Sequence, residues 1–441
     1  MKRLLTFLVF MCCAYTAFPQ AQFDLSKSKI LKTGAQPAAF FLNKAGQMNV
    51  ICLGLDANYN GVLDAGDTPS SWRLVDPNSS EESAVKVDFG ISGIGFPVRP
   101  VVDSKNDLLY VASGGKVMIY DMTTFAKKDE ITIDPMLSAI SLDGNNLYCT
   151  VSPWSGNGKV IKYDLSAKKV LMDSIPGYTS PRQTLPYWNG SLAVLSEGGF
   201  GATNSKVMLY DVSGAAYKSF AEINVGGVGN HLSISGQHLF VTMNGTNEIK
   251  IIDLNTRTLV DSIKLPAACS PREALVIGSD ALYKQAEIYV PCYNSKMYYI
   301  KNMQVVDSAK CDGALETAAI SADGKYLYAA DIYLPSSYTA NNIINMFSLK
   351  GSDVAEAKQY ANVYPNPVVD NFTINYYSNN GEEALVTIFD VNGQKVSEVK
   401  TNVFDGKLNL SANSLNLNSG KYIVVIASAG KVYNASIVVN K

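Results

Sequence analysis

Histidine is nearly missing from this chain. Only His231 and His238 stand among its 441 residues. No HExxH, GxSxG or Cys-x-x-Cys pattern occurs, so metalloprotease, serine-hydrolase and dithiol chemistry have no local signature. Charge is scarce too: charged residues make up 17% and the net charge is −2. With no basic stripe there is no electrostatic footprint for nucleic acid. No stretch keeps a 3.6-residue apolar period, so helix is expected to be rare. Beyond the first residues no apolar run reaches the roughly 20 residues of a spanning helix, so no transmembrane segment is expected. Cysteine is sparse and odd in number after residue 21: Cys52, Cys149, Cys269, Cys292 and Cys311. An odd count excludes a complete disulfide framework. Most of these cysteines sit in apolar strand patterns, where a thiol behaves as a small hydrophobe. One bridge, Cys269–Cys292 or Cys269–Cys311, stays open.

The N-terminus has a defined grammar. Lys2-Arg3 precede an apolar run, Leu4 to Phe10, followed by smaller residues to Ala21. Charge, core and flank are those of a secretory signal peptide over 1–21, with cleavage expected after Ala21. Cys12 and Cys13 lack the small neighbours of a lipoprotein box, so no lipid anchor is expected.

Residues 22–350 repeat at about 40–47 residues, the period of β-propeller blades. One marker is a strand closed by Asp: Trp72-Arg-Leu-Val-Asp76, Val117-Met-Ile-Tyr-Asp121, Val160-Ile-Lys-Tyr-Asp164, Val207-Met-Leu-Tyr-Asp211 and Ile249-Lys-Ile-Ile-Asp253. Alternate residues bury, and the Asp caps a turn into the next strand. Two degenerate copies end at Lys301 and Lys350. A second marker is a hairpin with Asp-Gly or Ser-Gly at its turn, as at Gly144, Gly236 and Gly324. The units read as 34–76, 85–130, 134–175, 178–224, 226–264, 266–308 and 311–350. The last lacks an outer strand, and residues 24–33 resemble the outer strand Thr258–Lys264. The N-terminal strand is therefore expected to complete the seventh blade, which removes two unpaired sheet edges. A six- or eight-bladed ring is the alternative count. The repeat resembles the YVTN-type surface-layer propellers, some of which, in a branch common in Bacteroidetes, bind cobalamin at the outer membrane beside a transporter. No ligand residue is carried over from them.

After a linker at 351–359, residues 360–441 carry Val363-Tyr364-Pro365-Asn366-Pro367, then Val386-Thr-Ile-Phe-Asp390-Val-Asn-Gly393, then Leu417-Asn-Ser-Gly420-Lys-Tyr422 and a terminal Lys441. This order resembles the type A sorting domain of the Bacteroidetes type IX secretion system. The resemblance implies a small Ig-like β-sandwich, contact with the type IX machinery, and export to the medium or the outer cell surface. The expected class is thus all-β: a seven-bladed propeller followed by a sandwich.

Asp56-Ala-Asn58-Tyr-Asn60-Gly61-Val62-Leu-Asp64-Ala-Gly-Asp67 fits a twelve-residue calcium loop. Asp56, Asn58 and Asn60 offer side-chain oxygens, Val62 its carbonyl, Asp64 a further carboxylate, and Asp67 closes the site where a Glu is usual. The flanks read as strands, so a structural calcium in a hairpin loop is expected. The competing reading is an Asx-rich turn that needs no metal.

Aligning the units places polar residues where each inner strand begins: Arg99, Arg182 and Gln183, Asn230 and His231, Arg272 and Glu273, and Glu316. Two blades repeat a phrase, Thr179-Ser-Pro-Arg182-Gln and Cys269-Ser-Pro-Arg272-Glu. Arginine repeated at one structural position suits bidentate capture of a carboxylate or phosphate. The alternative is a set of links between blades. Trp154, Tyr187, Trp188, Phe200 and either Tyr333 or Tyr338 are candidates for a stacking wall. The expectation is a binding protein whose ligand, a cobamide, a glycan or a surface protein, sits at the channel mouth. An extracellular hydrolase or lyase and a structural adhesin or surface-layer component are the alternatives. Replacing Arg182 and Arg272 by Ala is expected to end binding and spare the fold.

Overall fold

A computed structural model describes residues 23–58, 60, 62–90, 99–153, 156–188, 190–199, 201–277, 283–349, 359–375, 383–390, 394–403, 407–428 and 431–441. The signal peptide, the linker up to residue 358, the Gly393 turn, Gly61, Trp154 and Phe200 lie outside the described residues. Seven four-stranded antiparallel sheets follow one another along the chain. Blade 1 spans 37–90, blade 2 101–132, blade 3 137–179, blade 4 181–226, blade 5 229–264 and blade 6 275–310. Blade 7 takes three strands from 314–349 and its fourth from the N-terminus, where Phe23–Lys32 pairs antiparallel with Thr339–Leu349. Among the described residues the one helical element is a single 3-10 turn, Tyr283–Gln285.

The unit boundaries need one correction. Ala84–Gly90 pairs with Ser70–Leu74 and is the outer strand of blade 1, not the start of the second unit. The cause is the insertion Asp76–Ser83, which separates the two strands and disguises their pairing.

The repeated Asp does what its position demands. The Oδ1 of Asp121 accepts the amides of Thr123 and Thr124, and Asp164 accepts Ser166 and Ala167. Asp76, Asp211 and Asp253 do the same for Asn78, Ser213 and Asn255. Each holds the turn between the third and outer strands, satisfying amides that the ladder leaves open. Between blades the apolar faces interlock. Trp72 of blade 1, fully buried, packs on Phe41, Tyr120 and Phe125, and its indole N–H reaches Asn49 at 2.9 Å. The five cysteines among the described residues are buried free thiols, with Cys269 in hydrogen-bonding reach of Cys292, so neither expected bridge forms.

Residues 359–441 form a sandwich of a five-stranded and a three-stranded sheet around Val368, Phe372, Val386, Ile388, Val424, Ile426 and Ile437. Asn366 pins the opening segment to the last strand: its amide donates to the Ser436 carbonyl at 3.1 Å and its Oδ1 accepts Val438 N–H at 2.8 Å.

Strand direction gives the ring two distinct faces. Inner strands begin on one, here the mouth face, which also carries the turns between second and third strands. The other, the hairpin face, carries the first hairpin and the Asp turns. The sandwich lies against the hairpin face, where a cleft of about 1110 Å³ is lined by Leu142, Trp188, Ile234, Val363 and Pro365 among others.

Candidate functional site: the channel mouth

The strands that deliver the mouth residues start from strained backbone. Ser180 and Ser270 both have φ 50, and Gln36 has φ 56, each directly before a proline. The same hydrogen bond recurs in all three blades. The carbonyl of the strained residue accepts an amide from the opposite turn: Leu53 onto Gln36 at 2.9 Å, Glu197 onto Ser180 at 2.9 Å, Tyr293 onto Ser270 at 3.1 Å. A left-handed non-glycine costs on the order of 1–3 kcal/mol and persists only where surroundings hold it. In blades 4 and 6 this bend is the phrase Ser-Pro-Arg, and in both an arginine follows it at the start of the inner strand.

Seven of the eight residues expected at the mouth interact with one another, and Gln183 turns to the backbone of the next blade instead. Arg99, before blade 2, forms an ion pair with Glu273, before blade 6. These blades are not neighbours in the ring, so the pair spans the channel. The other oxygen of Glu273 accepts the Thr317 hydroxyl at 2.9 Å and the Ala318 amide at 2.6 Å in blade 7. Arg272 grips Glu316 with two bonds, 2.9 and 3.2 Å, and both are almost fully buried. Tyr293 donates its hydroxyl to the same carboxylate, and its ring lies 4.4 Å from the Arg272 guanidinium carbon. Arg182 donates to Asn230 at 3.0 Å and faces Glu197 at 3.5 Å. Asn230 in turn donates to the Arg272 carbonyl. Gln183 exchanges two bonds with the Leu232 backbone, 3.1 and 2.7 Å. The Nδ1 of His231 is shut from solvent without a partner.

Two roles separate here. Gln183, Glu273, Asn230 and the Arg272–Glu316 pair tie blade to blade. Arg99 and Arg182 keep part of their side chains exposed, 27% and 23% accessible. Burial, despite Glu197, pulls Arg182 below the usual guanidinium range, and Arg272 and Arg99 add to the effect. Burial, with Arg99 and Arg272, holds His231 well below the ordinary imidazole value, so it is neutral at physiological pH. Glu197 was not singled out in the sequence. Its only signal was its place in the turn facing the Ser-Pro-Arg phrase of blade 4.

The aromatic wall is sorted by face. Tyr187 and Trp188 sit on the hairpin face, in the cleft with the sandwich, and do not border the mouth. They end the inner strand that Arg182 begins, so the strand's length separates them from it. Tyr333 and Tyr338 are on the mouth face. Tyr333 stands edge-on to Tyr293 at 5.1 Å, and Tyr338 leans on Tyr333 at 5.6 Å.

The twelve-residue loop is the long connection on the mouth face of blade 1, closed at its base by the bridge Leu55–Thr68. Gly54 has φ +79, and a Cβ there would stand 2.3 Å from the Thr68 carbonyl oxygen, so the base accepts only glycine. Asp67 accepts the amides of Ala57 at 2.8 Å and Asp64 at 2.9 Å. Asn58 and Asn60 donate side-chain N–H to Asp64 at 3.0 and 2.8 Å. Those bonds hold the Asp64 carboxyl below its ordinary range. Among the described residues, no cluster of three or more His, Cys, Asp or Glu is close enough to hold a metal by those side chains alone. A cation here needs the amide oxygens of Asn58 and Asn60 and the Val62 carbonyl. The donor set is all oxygen and fits a hard cation.

Fold and address define an exported β-propeller. Residues 362–440 match the secretion system C-terminal sorting domain family, the type that marks proteins sent by the type IX route to the cell surface or the medium. A curated relative, ulvan lyase NLR42 of Nonlabens ulvanivorans, is 42% identical over 79 residues, covering 18% of this chain and 14% of the lyase. Among solved structures, PorZ of Porphyromonas gingivalis, described as an essential surface component of the type IX secretion system, aligns at 15% identity with TM-score 0.48, over 90% of this chain and 58% of its own. U3-55K aligns at 10% identity with TM-score 0.54, over 74% of this chain and 100% of its own. The chain thus spans under two thirds of the ulvan lyase and of PorZ, and the U3-55K likeness speaks for the fold alone. Among the described residues no helix is long and apolar enough to cross a membrane.

Proposed function

We propose that this is a binding protein displayed at the cell surface or released, which takes its ligand at the mouth face of the propeller. One observation carries the reading. Residues from blades 2, 4, 5, 6 and 7 meet at the channel, and the Arg99–Glu273 pair crosses it. Arginines left partly exposed in such a setting are suited to a polar ligand. The sandwich occupies the opposite face, which leaves the mouth free while the sorting domain engages the type IX machinery. The ulvan lyase match covers too little of either chain to bring lyase activity here. The loop Asp56–Asp67 is proposed as a structural calcium site that stiffens the same face.

The test is a ligand screen by thermal shift on purified protein, repeated with Arg182→Ala and Arg99→Ala. A ligand whose shift disappears in these variants supports the reading. A ligand bound equally by wild type and both variants overturns it.

A further inference from the structure

Tyrosines form a ladder from solvent to the buried charges of the mouth. Its outermost rung, Tyr338, is 78% exposed, the most exposed large hydrophobic side chain among the described residues. It is also held at φ 54, a left-handed backbone that tyrosine adopts only under constraint. Its ring lies 31° from the plane of Tyr333. Tyr333 meets Tyr293 at 69°, and Tyr293 lies against the guanidinium of Arg272, which is forked onto Glu316. The ladder therefore runs from solvent to the buried Arg272–Glu316 pair, beside which Arg182 and Arg99 keep part of their side chains accessible as donors.

We propose that this ladder is a carbohydrate subsite that seats successive pyranose rings of a neutral glycan. The proposal rests on the mouth being the ligand face and names what the mouth takes. A pyranose offers a C–H face to stack on tyrosine and an edge of vicinal hydroxyls for paired N–H donors and carboxylate oxygens. Charge decides between this class and phosphate- or carboxylate-bearing ligands. The mouth holds Arg99, Arg182 and Arg272 against Glu197, Glu273 and Glu316, a balanced set in which each arginine already faces a carboxylate. An anion arriving there meets as much repulsion as attraction, whereas a neutral polyol can bond to both signs.

The experiment is affinity electrophoresis of the purified chain in gels with neutral polysaccharides (laminarin, xyloglucan, galactomannan) and, as contrast, a polyuronate and a soluble cobamide. Tyr338→Ala, Tyr333→Ala and Arg182→Ala variants are run alongside. Tyr338 is so exposed that its variant retains the wild-type melting temperature. Retardation by a neutral glycan, weakened at least about tenfold by Tyr338→Ala, supports the subsite. A neutral glycan bound equally by Tyr338→Ala overturns the ladder. Binding of only the polyuronate or the cobamide, lost in Arg182→Ala, overturns the glycan class and leaves the mouth as ligand face. Binding of none of these probes overturns the glycan proposal, while the thermal-shift screen judges the mouth separately.

Discussion

Arg99 and Glu273 stand 174 residues apart in sequence and form an ion pair across the propeller channel. Because Glu273 is also bonded to Thr317 and Ala318, this contact connects blades 2, 6 and 7. Its neighbour, Arg272 with Glu316, is equally polar but buried on both sides. Similar chemistry thus has two consequences, set by exposure.

The first prediction separates them. Removing Arg272 leaves Glu316 as a buried carboxylate that has lost its forked partner and keeps the Tyr293 hydroxyl, and breaking such a pair costs about 3–5 kcal/mol. Arg272→Ala is therefore expected to lower the urea midpoint sharply. The burial of this pair argues against the expectation that its replacement spares the fold. Arg182→Ala, with its side chain 23% accessible and its partner Glu197 30% accessible, strands no fully buried carboxylate and should cost less than Arg272→Ala. Denaturation curves of the two variants check this, and equal midpoints would contradict it.

The blade architecture was legible because it is local and repeated. Asp121, Asp164, Asp211 and Asp253 announce turns through bonds to amides two or three residues away. The N-terminal closing strand was legible because its pattern resembles another blade's outer strand. The convergence of Arg99 with Glu273 could be read only through the blade alignment, since nothing near either residue encodes the other. Which residues would be spent on blade contacts was not legible, because Gln183 and Arg182 are adjacent in sequence and differ only in which way the strand turns them. The face on which Tyr187 and Trp188 lie is not legible for a related reason: a turn aromatic carries no sign of which end of the blade it occupies.

Calcium is the second prediction. With calcium bound, Asn58 and Asn60 would turn amide oxygens inward, replacing the N–H bonds they now give Asp64. Added calcium is expected to raise the melting temperature, EDTA to lower it, and Asp56→Ala to abolish the difference. A melting curve indifferent to EDTA would make the loop an Asx-rich turn and nothing more.

The third concerns pH. Asp331 of blade 7 is fully buried, and burial pushes its carboxyl up to about 7, against the bonds it accepts from Gly313 at 2.9 Å and Asn345 at 2.7 Å. An unfolded Asp titrates near about 3.9. Between these values the native state holds a proton that the unfolded state has lost. Stability contributed by this group is therefore complete below pH of about 4 and falls as pH rises towards about 7, by at most on the order of 4 kcal/mol. Asp331→Asn, which cannot ionise, should flatten the pH dependence of the melting temperature across that window. An unchanged slope would assign the effect to other groups.

The last prediction tests how the ring is closed. Leu31 on the N-terminal strand is 3% exposed and packs with Val50 of blade 1 and Tyr328 and Ile344 of blade 7. The backbone of the same strand pairs Leu31 with Ile344 and Ile30 with Asn345. Leu31→Ala removes packing only and should cost about 2–5 kcal/mol. Deleting residues 23–32 removes the pairing as well and leaves Thr339–Leu349 as a long exposed edge, which invites association with another chain. The point variant is thus expected to be destabilised but monodisperse, and the deletion to aggregate, with faster hydrogen exchange along Ile343–Ser348. If the deletion stays monodisperse and its exchange there is unaltered, blade 7 does not depend on the N-terminal strand for closure.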